Sequence, residues 1–309
     1  MTKAIGFSEY GGPDVLRPLD LDLPAPGPGR VRVAVRTAGV NPLDHKLRNG
    51  ALTALFPLTF PYVAGSEVAG VVEAVGEDVT AWRPGDEVFG LSLVGGYAEH
   101  VVVDAGKLAR KPATLGWEEA AAIPVAAETA WRSLDLLGVT TGQTLLVHGA
   151  AGGVGTVLLQ FARSRGIRVI GTASEANHAH LRELGATPVA YGEGLAERVR
   201  AAAPEGVHKV LDAAGQGDVL PYSIALTGGA EHVLTIADFE GAAAHGVRFT
   251  GGSEDVEYHA PALAGALALH EAGTLRLPLH RVYPLAEAAE AQRESERGHL
   301  RGKIVLTVG

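Results

Sequence analysis

The chain contains no cysteine among its 309 residues. That single absence excludes disulfides, cysteine nucleophiles, iron–sulfur clusters and thiolate-bound zinc. A metal held by histidine and carboxylate alone stays open, since there are 12 histidines, but no His-Glu-x-x-His pair supports one, and none is expected. The first residues have neither the basic n-region nor the apolar h-region of a leader, and no apolar run is long enough to cross a bilayer. A cytoplasmic protein is the default expectation. Basic residues are in deficit: 26 Lys and Arg stand against 35 Asp and Glu, a formal net charge of −9, which argues against nucleic acid or an anionic membrane as partner. What is present is the composition of a folded soluble protein, 47% hydrophobic and 20% charged, with 41 glycines and 17 prolines to make turns. The length allows two domains with separate cores.

The most informative stretch is 144–174, TLLVHGAAGGVGTVLLQFARSRGIRVIGTAS. Residues 145–148 read as a buried strand, 149–155 as a glycine-rich turn, 156–165 as a helix and 168–172 as a second strand. A glycine loop that closes a strand and opens a helix is the setting of a dinucleotide fingerprint. Its glycines allow a tight turn and close approach of a pyrophosphate, whose charge rests on the free amides at the helix start. The match departs from Gly-x-Gly-x-x-Gly at its first position, where the order is Ala150, Ala151, Gly152, Gly153, Val154, Gly155; Gly149 stands one place earlier. An NAD site places an acidic side chain at the end of the second strand. Here that position is Ala173, followed by Ser174, so nothing repels a 2′-phosphate, and Ser174, Asn177 and His178 offer donors to it. Glu175 is expected to point outward. The reading is NADP(H).

Residues 1–122 are strand-rich, and 30–37, RVRVAVRT, alternates with period two. Further strands are expected at 4–7, 16–23, 66–75, 87–89, 97–103 and 106–110, and many short strands punctuated by Gly and Pro point to a closed, barrel-like β unit. Beyond residue 116 the period changes. Helices are expected at 117–122 and 128–137, separated by Ile123-Pro124-Val125. Alternating strands and helices to about residue 250 then give a doubly wound parallel sheet, so the fold class is α/β. A helix at 261–272, an edge strand at 278–283, a helix at 285–296 and a strand at 303–308 complete the chain.

Hydride transfer needs an acceptor held against a nicotinamide, with donors aimed at the oxygen that gains charge. Asn41 follows the RVRVAVRT strand at a loop tip held by Pro42; it either donates to a ligand or forms the turn. Asp44 is read as a helix cap. Lys46 either reaches cofactor or substrate or is solvated, and His45 has the pKa for acid–base work but is more often packing. Tyr62 offers an aromatic wall, and Glu67, set between apolar runs, needs a partner, which a nearby Arg or Lys would make structural. Thr129 is placed at a helix start, where it meets the nicotinamide or caps the helix. Ala213 and Ala214 end a parallel strand and let a cofactor approach. Arg301 and Lys303 either cross to the cofactor or are solvated. The substrate pocket is expected along 41–56, 91–97 and 232–249, with Phe56, Tyr62, Leu93 and Phe249 as its apolar wall.

Seven motifs in order, AGVNPLD (38–44), GSEVAGVVEAVG (65–76), RPGDEVFG (83–90), HGAAGGVG (148–155), GTAS (171–174), LGA (184–186) and HLRGKIVL (299–306), resemble the medium-chain dehydrogenase/reductase superfamily, in its zinc-less quinone oxidoreductase, zeta-crystallin-like branch. The resemblance covers nearly the whole chain. It implies a GroES-like catalytic domain formed by 1–122 and 276–309, an inserted Rossmann domain at 123–275, an active site in the cleft, NADPH as donor and a homodimer. It also implies Asn41 and Thr129 beside the nicotinamide, Gly152, Gly153, Val154 and Gly155 on the pyrophosphate, Ser174 and Asn177 on the 2′-phosphate, and Lys303 on the cofactor. Relatives that oxidise alcohols hold zinc through cysteines, which this chain lacks, so simple alcohol oxidation is disfavoured. The expected reaction is hydride transfer to a quinone. Reduction of the C=C bond of an enone or enoyl intermediate uses the same geometry, and an NADPH-binding protein with little turnover is the third reading.

Overall fold

A computed structural model describes residues 1–252 and 256–309. In chain order the strands begin with β1 (Thr2–Phe7), β2 (Arg17–Leu21) and β3 (Arg30–Val40), and helix α1 (Pro42–Arg48) follows. Next come β4 (Tyr62–Val63), β5 (Glu67–Val75), β6 (Glu87–Leu91), β7 (His100–Asp104) and β8 (Leu108–Arg110), then α2 (Trp117–Ala122) and α3 (Pro124–Leu137). The alternating part contains β9 (Thr144–His148), α4 (Gly153–Ser164), β10 (Arg168–Ala173), α5 (His178–Glu183), β11 (Thr187–Ala190), α6 (Leu195–Ala202) and β12 (Lys209–Asp212). It continues through α7 (Val219–Thr227), β13 (Val233–Thr235), α8 (Phe239–His245), β14 (Arg248–Phe249) and α9 (His259–Glu271). The chain ends with β15 (Leu279–Pro284), α10 (Ala288–Arg297) and β16 (Lys303–Thr307). By its internal contacts the chain divides into one unit of Met1–Val125 with Leu277–Gly309, and a second of Ala126–Arg276.

The first unit holds a sheet of order β15-β16-β3-β5-β6-β8, with β7 also paired to β3, and a smaller sheet β2-β1-β4. Alternation explains β3: Val31, Val33 and Val35 are buried in the core while Arg30 and Arg36 are exposed. A register shift between Val35 and Thr37 changes the pattern, and from Thr37 to Val40 every residue is buried. That half of β3 is paired on one side with β16 and on the other with β5, so neither edge meets water. It delivers Asn41 into the interior.

The second unit is a six-stranded parallel sheet of order β11-β10-β9-β12-β13-β14. Its strands are apolar on both faces, as a sheet covered by helices on both sides requires; Leu146, Ile170, Val210 and Val233 sit in one of its cores. The doubly wound fold class is therefore as the sequence predicts. Two local readings need correction. The helix expected at 128–137 begins at Pro124, because proline in the first turn loses no hydrogen bond and its fixed φ suits a helix start. Thr129 thus lies inside α3 and caps nothing. A helix at Phe239–His245 was not foreseen; Asp238 caps it by accepting a hydrogen bond from the Gly241 amide.

Candidate active site

In the second unit, the loop from β9 to α4 is made of backbone. Gly149 has φ +74°, the left-handed conformation that the turn demands, and a Cβ there would lie 2.9 Å from the Ala213 carbonyl oxygen. The fingerprint's departure is therefore one of register: the left-handed residue is Gly149, and Ala150 is free to be an alanine, fully buried and donating its amide to Thr172 O at 3.1 Å. Gly155 is required for another reason. A Cβ on it would sit 2.6 Å from Ala150 O, so only glycine lets α4 pack this closely on the loop. Gly152 caps α4 with no side-chain hydrogen bond, which leaves the Gly153, Val154 and Gly155 amides without intrahelical partners. The cradle fits a pyrophosphate.

At the end of β10, Ala173 is buried and Ser174 and Asn177 are half-buried, while Glu175 is exposed. Asn177 Nδ2 donates to Ser174 Oγ at 3.1 Å, which presents both polar ends together. Ala213 and Ala214 follow β12 half-buried, and their turn is held by Asp212, whose Oδ1 accepts the amides of Ala214 at 2.9 Å and Gly215 at 3.0 Å. Thr129 is buried on α3 beside an ion pair between Glu128 and Arg132, with Arg132 Nε to Glu128 Oε1 at 2.7 Å. Its hydroxyl lies 3.3 Å from Glu128 Oε2, and Arg132 also hydrogen-bonds Thr250 Oγ1. Phe249 packs edge-on against Phe239, centroids 5.3 Å apart, on the core of this unit.

In the first unit, the residues around Asn41 form a closed polar cluster. Asn41 Nδ2 donates to Glu67 Oε1 at 2.8 Å, and Lys303 Nζ donates to both Asn41 Oδ1 and, at 2.6 Å, Glu67 Oε1. Glu67 Oε2 accepts the Val125 amide at 2.7 Å. Glu67 is 0% and Lys303 5% exposed, so this is a buried ion pair with an amide bridging it. The solvated alternative for Lys303 is thereby excluded, whereas Arg301 is exposed. Gly39 makes room for Glu67: a methyl group there would overlap the Glu67 carboxyl.

The sequence reads Asp44 as the cap of a helix beginning at His45, but α1 begins at Pro42 with Asn41 as its N-cap. Asp44 therefore lies in the first turn and reaches back to accept the Asn41 amide at 2.8 Å, completing a capping box. It also accepts the Tyr97 hydroxyl at 2.9 Å. Burial is the main cause that pushes its carboxyl up to about 6. His45 is held down at about 4, by burial first and then by the charges of Lys46 and Arg48, and is neutral near pH 7, which removes it as a proton donor there. Lys46 is half-buried on α1. Tyr62 packs against Phe7 with centroids 5.5 Å apart, and burial followed by the Asp44 charge raises its phenol to about 12. Phe56 is half-buried, and Leu93 is 58% exposed with φ +66°, an uncommon conformation for a branched apolar residue.

The first unit's residues 27–113 match the family model of the alcohol dehydrogenase GroES-like domain, and residues 184–306 that of zinc-binding dehydrogenases. The quinone oxidoreductase of Homo sapiens is 38% identical over 176 residues, which is 56% of this chain and 53% of that protein. The chain thus spans about half the length of such curated relatives. A solved quinone oxidoreductase from Coxiella burnetii is 31% identical with a TM-score of 0.85, covering 100% of this chain and 99% of that one. A mycobacterial structure complexed with NADPH is 32% identical, TM-score 0.85, covering 99% and 100%. The chain belongs to the medium-chain dehydrogenase/reductase superfamily, in its quinone-oxidoreductase branch. The residues present do not fit the zinc that one family description names. Among the described residues no three of His, Cys, Asp or Glu gather as a ligand set, and beside Asn41 the cluster holds an ammonium where a cation would be repelled.

Proposed function

We propose that the protein is an NADPH-dependent reductase that transfers hydride to a quinone without a metal. The observation that carries this reading is the likeness, over its whole length, to a quinone oxidoreductase of solved structure. A nucleotide-ready glycine loop and the NADPH-bound mycobacterial relative support the cofactor.

When bound, NADPH supplies the hydride. The Gly152–Gly155 segment holds the pyrophosphate on the free amides of the α4 first turn, with Ala213 and Ala214 small enough to admit the cofactor. Ser174 and Asn177 donate to the 2′-phosphate where an NAD site would carry an acid. In the second unit Thr129 is assigned to the nicotinamide; in the first, Asn41 is assigned to the acceptor and Lys46 to the cofactor. The Asn41 amide donates to the oxygen that gains charge. Phe56, Tyr62 and Leu93 in the first unit, and Phe249 in the second, are the apolar side chains assigned to a small hydrophobic acceptor. A quinone that gains one hydride and one proton from solvent leaves as the quinol. The working assembly is a homodimer, with the catalytic domain formed by both chain ends.

The test is NADPH oxidation followed by absorbance with a panel of quinones and size-matched enones, repeated with NADH for the best acceptor. Strong quinone turnover with NADPH is expected. Turnover of enones alone moves the protein to double-bond reductases, and NADPH binding without oxidation by any acceptor leaves a binding protein. A preference for NADH overturns the roles of Ser174 and Asn177. Light scattering of the purified protein, with a mass twice that of the chain expected, tests the dimer.

A further inference from the structure

The cluster around Asn41 does more than satisfy its members. An amide side chain has two N–H donors and one carbonyl acceptor. One Asn41 N–H is bound to Glu67 and its carbonyl to Lys303, so the amide is fixed in one orientation and its flipped form is excluded. A flip would aim the carbonyl at the Glu67 carboxylate and the NH2 group at the Lys303 ammonium, setting like against like at both ends. The second N–H of Asn41 has no partner among the described residues. A buried ammonium on the carbonyl oxygen also withdraws electron density from the amide, which strengthens the remaining N–H as a donor; in a site of low dielectric that polarisation is not screened by water. The positive charge needed for this is balanced by Glu67, itself tied to the Val125 amide, so the arrangement adds no net charge to the interior.

We propose that Lys303 and Glu67 are positioning residues that act through Asn41, locking and polarising its amide so that its free N–H is presented to the oxygen gaining charge during hydride transfer. This rests on the functional reading above. It gives this buried pair a task beyond stability, and it explains why a costly buried charge is kept at the start of β16 rather than an apolar side chain.

The experiment is a double-mutant cycle on the full chain, using NADPH and the best acceptor found for the wild type. Four proteins are compared: wild type, Asn41→Ala, the pair Glu67→Gln/Lys303→Met, and the triple variant. The pair variant removes both charges together, so no buried ion is left unpaired. Loss of Asn41 lowers kcat about 100-fold, the usual effect of deleting one donor to a developing oxyanion. The pair variant lowers kcat roughly 10-fold in the wild-type background and by less than about 2-fold in the Asn41→Ala background, because there is no longer an amide to orient. KM for NADPH stays within about 2-fold, while Tm falls equally in both backgrounds. Should the pair variant not fold, Glu67→Asp, which keeps both charges but shortens the reach to Asn41, shows the same non-additivity with Asn41→Ala, and Lys303→Arg retains most of kcat. Equal kcat losses in both backgrounds overturn the proposal and leave the functional reading intact. A wild type that binds NADPH but transfers hydride to none of the acceptors overturns both.

Discussion

On the function proposed above, the glycine loop of the second unit and the Asn41 cluster of the first solve the same problem, presenting N–H groups to negative charge, with opposite materials. The loop uses backbone amides freed by a helix start and side chains so small that nothing intervenes. The cluster uses one side-chain amide held by two buried ions. Short of substitution by proline, backbone donors cannot be removed by mutation, only displaced by adding atoms. Side-chain donors are lost by removing atoms or by unbalancing the charges behind them. The loop is therefore sensitive to bulk and the cluster to charge, and variants that exchange these sensitivities test the contrast.

The largest effect is expected from unbalancing the cluster. Glu67→Leu leaves the Lys303 ammonium buried without its counter-ion and costs about 3–5 kcal/mol of folding stability. Adding Lys303→Met to it restores most of that loss, since an apolar pair of similar volume carries no desolvation penalty. Urea unfolding of the two variants decides the matter: equal destabilisation by both would show that packing, not charge, sets the cost. In the loop, bulk does the damage. Gly155→Val drives a Cβ to 2.6 Å from Ala150 O, which is backbone and cannot swing away. NADPH affinity, read by fluorescence titration, weakens about 100-fold, close to 3 kcal/mol. Retention of wild-type affinity would mean that the loop has slack where the structure shows none.

A smaller change tests the 2′-phosphate reading. Ser174→Asp places a carboxylate beside Asn177 at a half-buried position, removes a donor and adds repulsion. The ratio of kcat/KM for NADPH over NADH is expected to fall about 10-fold. An unchanged ratio removes Ser174 from the cofactor site.

These two regions also differ in how far they could be read from sequence. Every part of the loop lies within residues 144–177, and strand, turn, helix and strand follow one another in a local pattern, so the loop's structure was legible, including the exposure of Glu175. Even its departure from the fingerprint resolves locally, at Gly149. The cluster is built from residues 41, 67 and 303, which only pairing of β16 and β5 on either side of β3 brings together. The sequence marked Glu67 as a buried acid in need of a base but could not name the base, and left Lys303 between cofactor and solvent. Thr129 was misplaced for a different reason: Pro124 was read as a break when it opens the helix. The Glu128–Arg132 pair beside it has helical i, i+4 spacing and was legible in principle.

The smallest predicted effect sets the two units against each other in acid. Burial raises Asp44 in the first unit from 3.8 to about 6, and lowers His148 in the second from 6.5 to about 4. For Asp44 the native state holds the proton more firmly than the unfolded chain, so its contribution to stability is complete below pH 3.8 and is lost as pH rises through about 6. For His148 the native state resists the proton, so its contribution is present above pH 6.5 and is lost as pH falls through about 4. Between about pH 4 and 6 the two slopes oppose, and His45, also lowered to about 4, adds to the histidine side. Asp44→Asn removes the opposing slope, so this variant loses more stability than wild type between pH 6 and 4, by about 1 kcal/mol. His148→Gln, whose amide can still meet Ser223, loses less than wild type over the same range. Urea midpoints across that interval read both. If the two variants shift the pH dependence in the same direction, burial is not what sets these two groups, and the contrast between a buried carboxyl and a buried neutral imidazole fails.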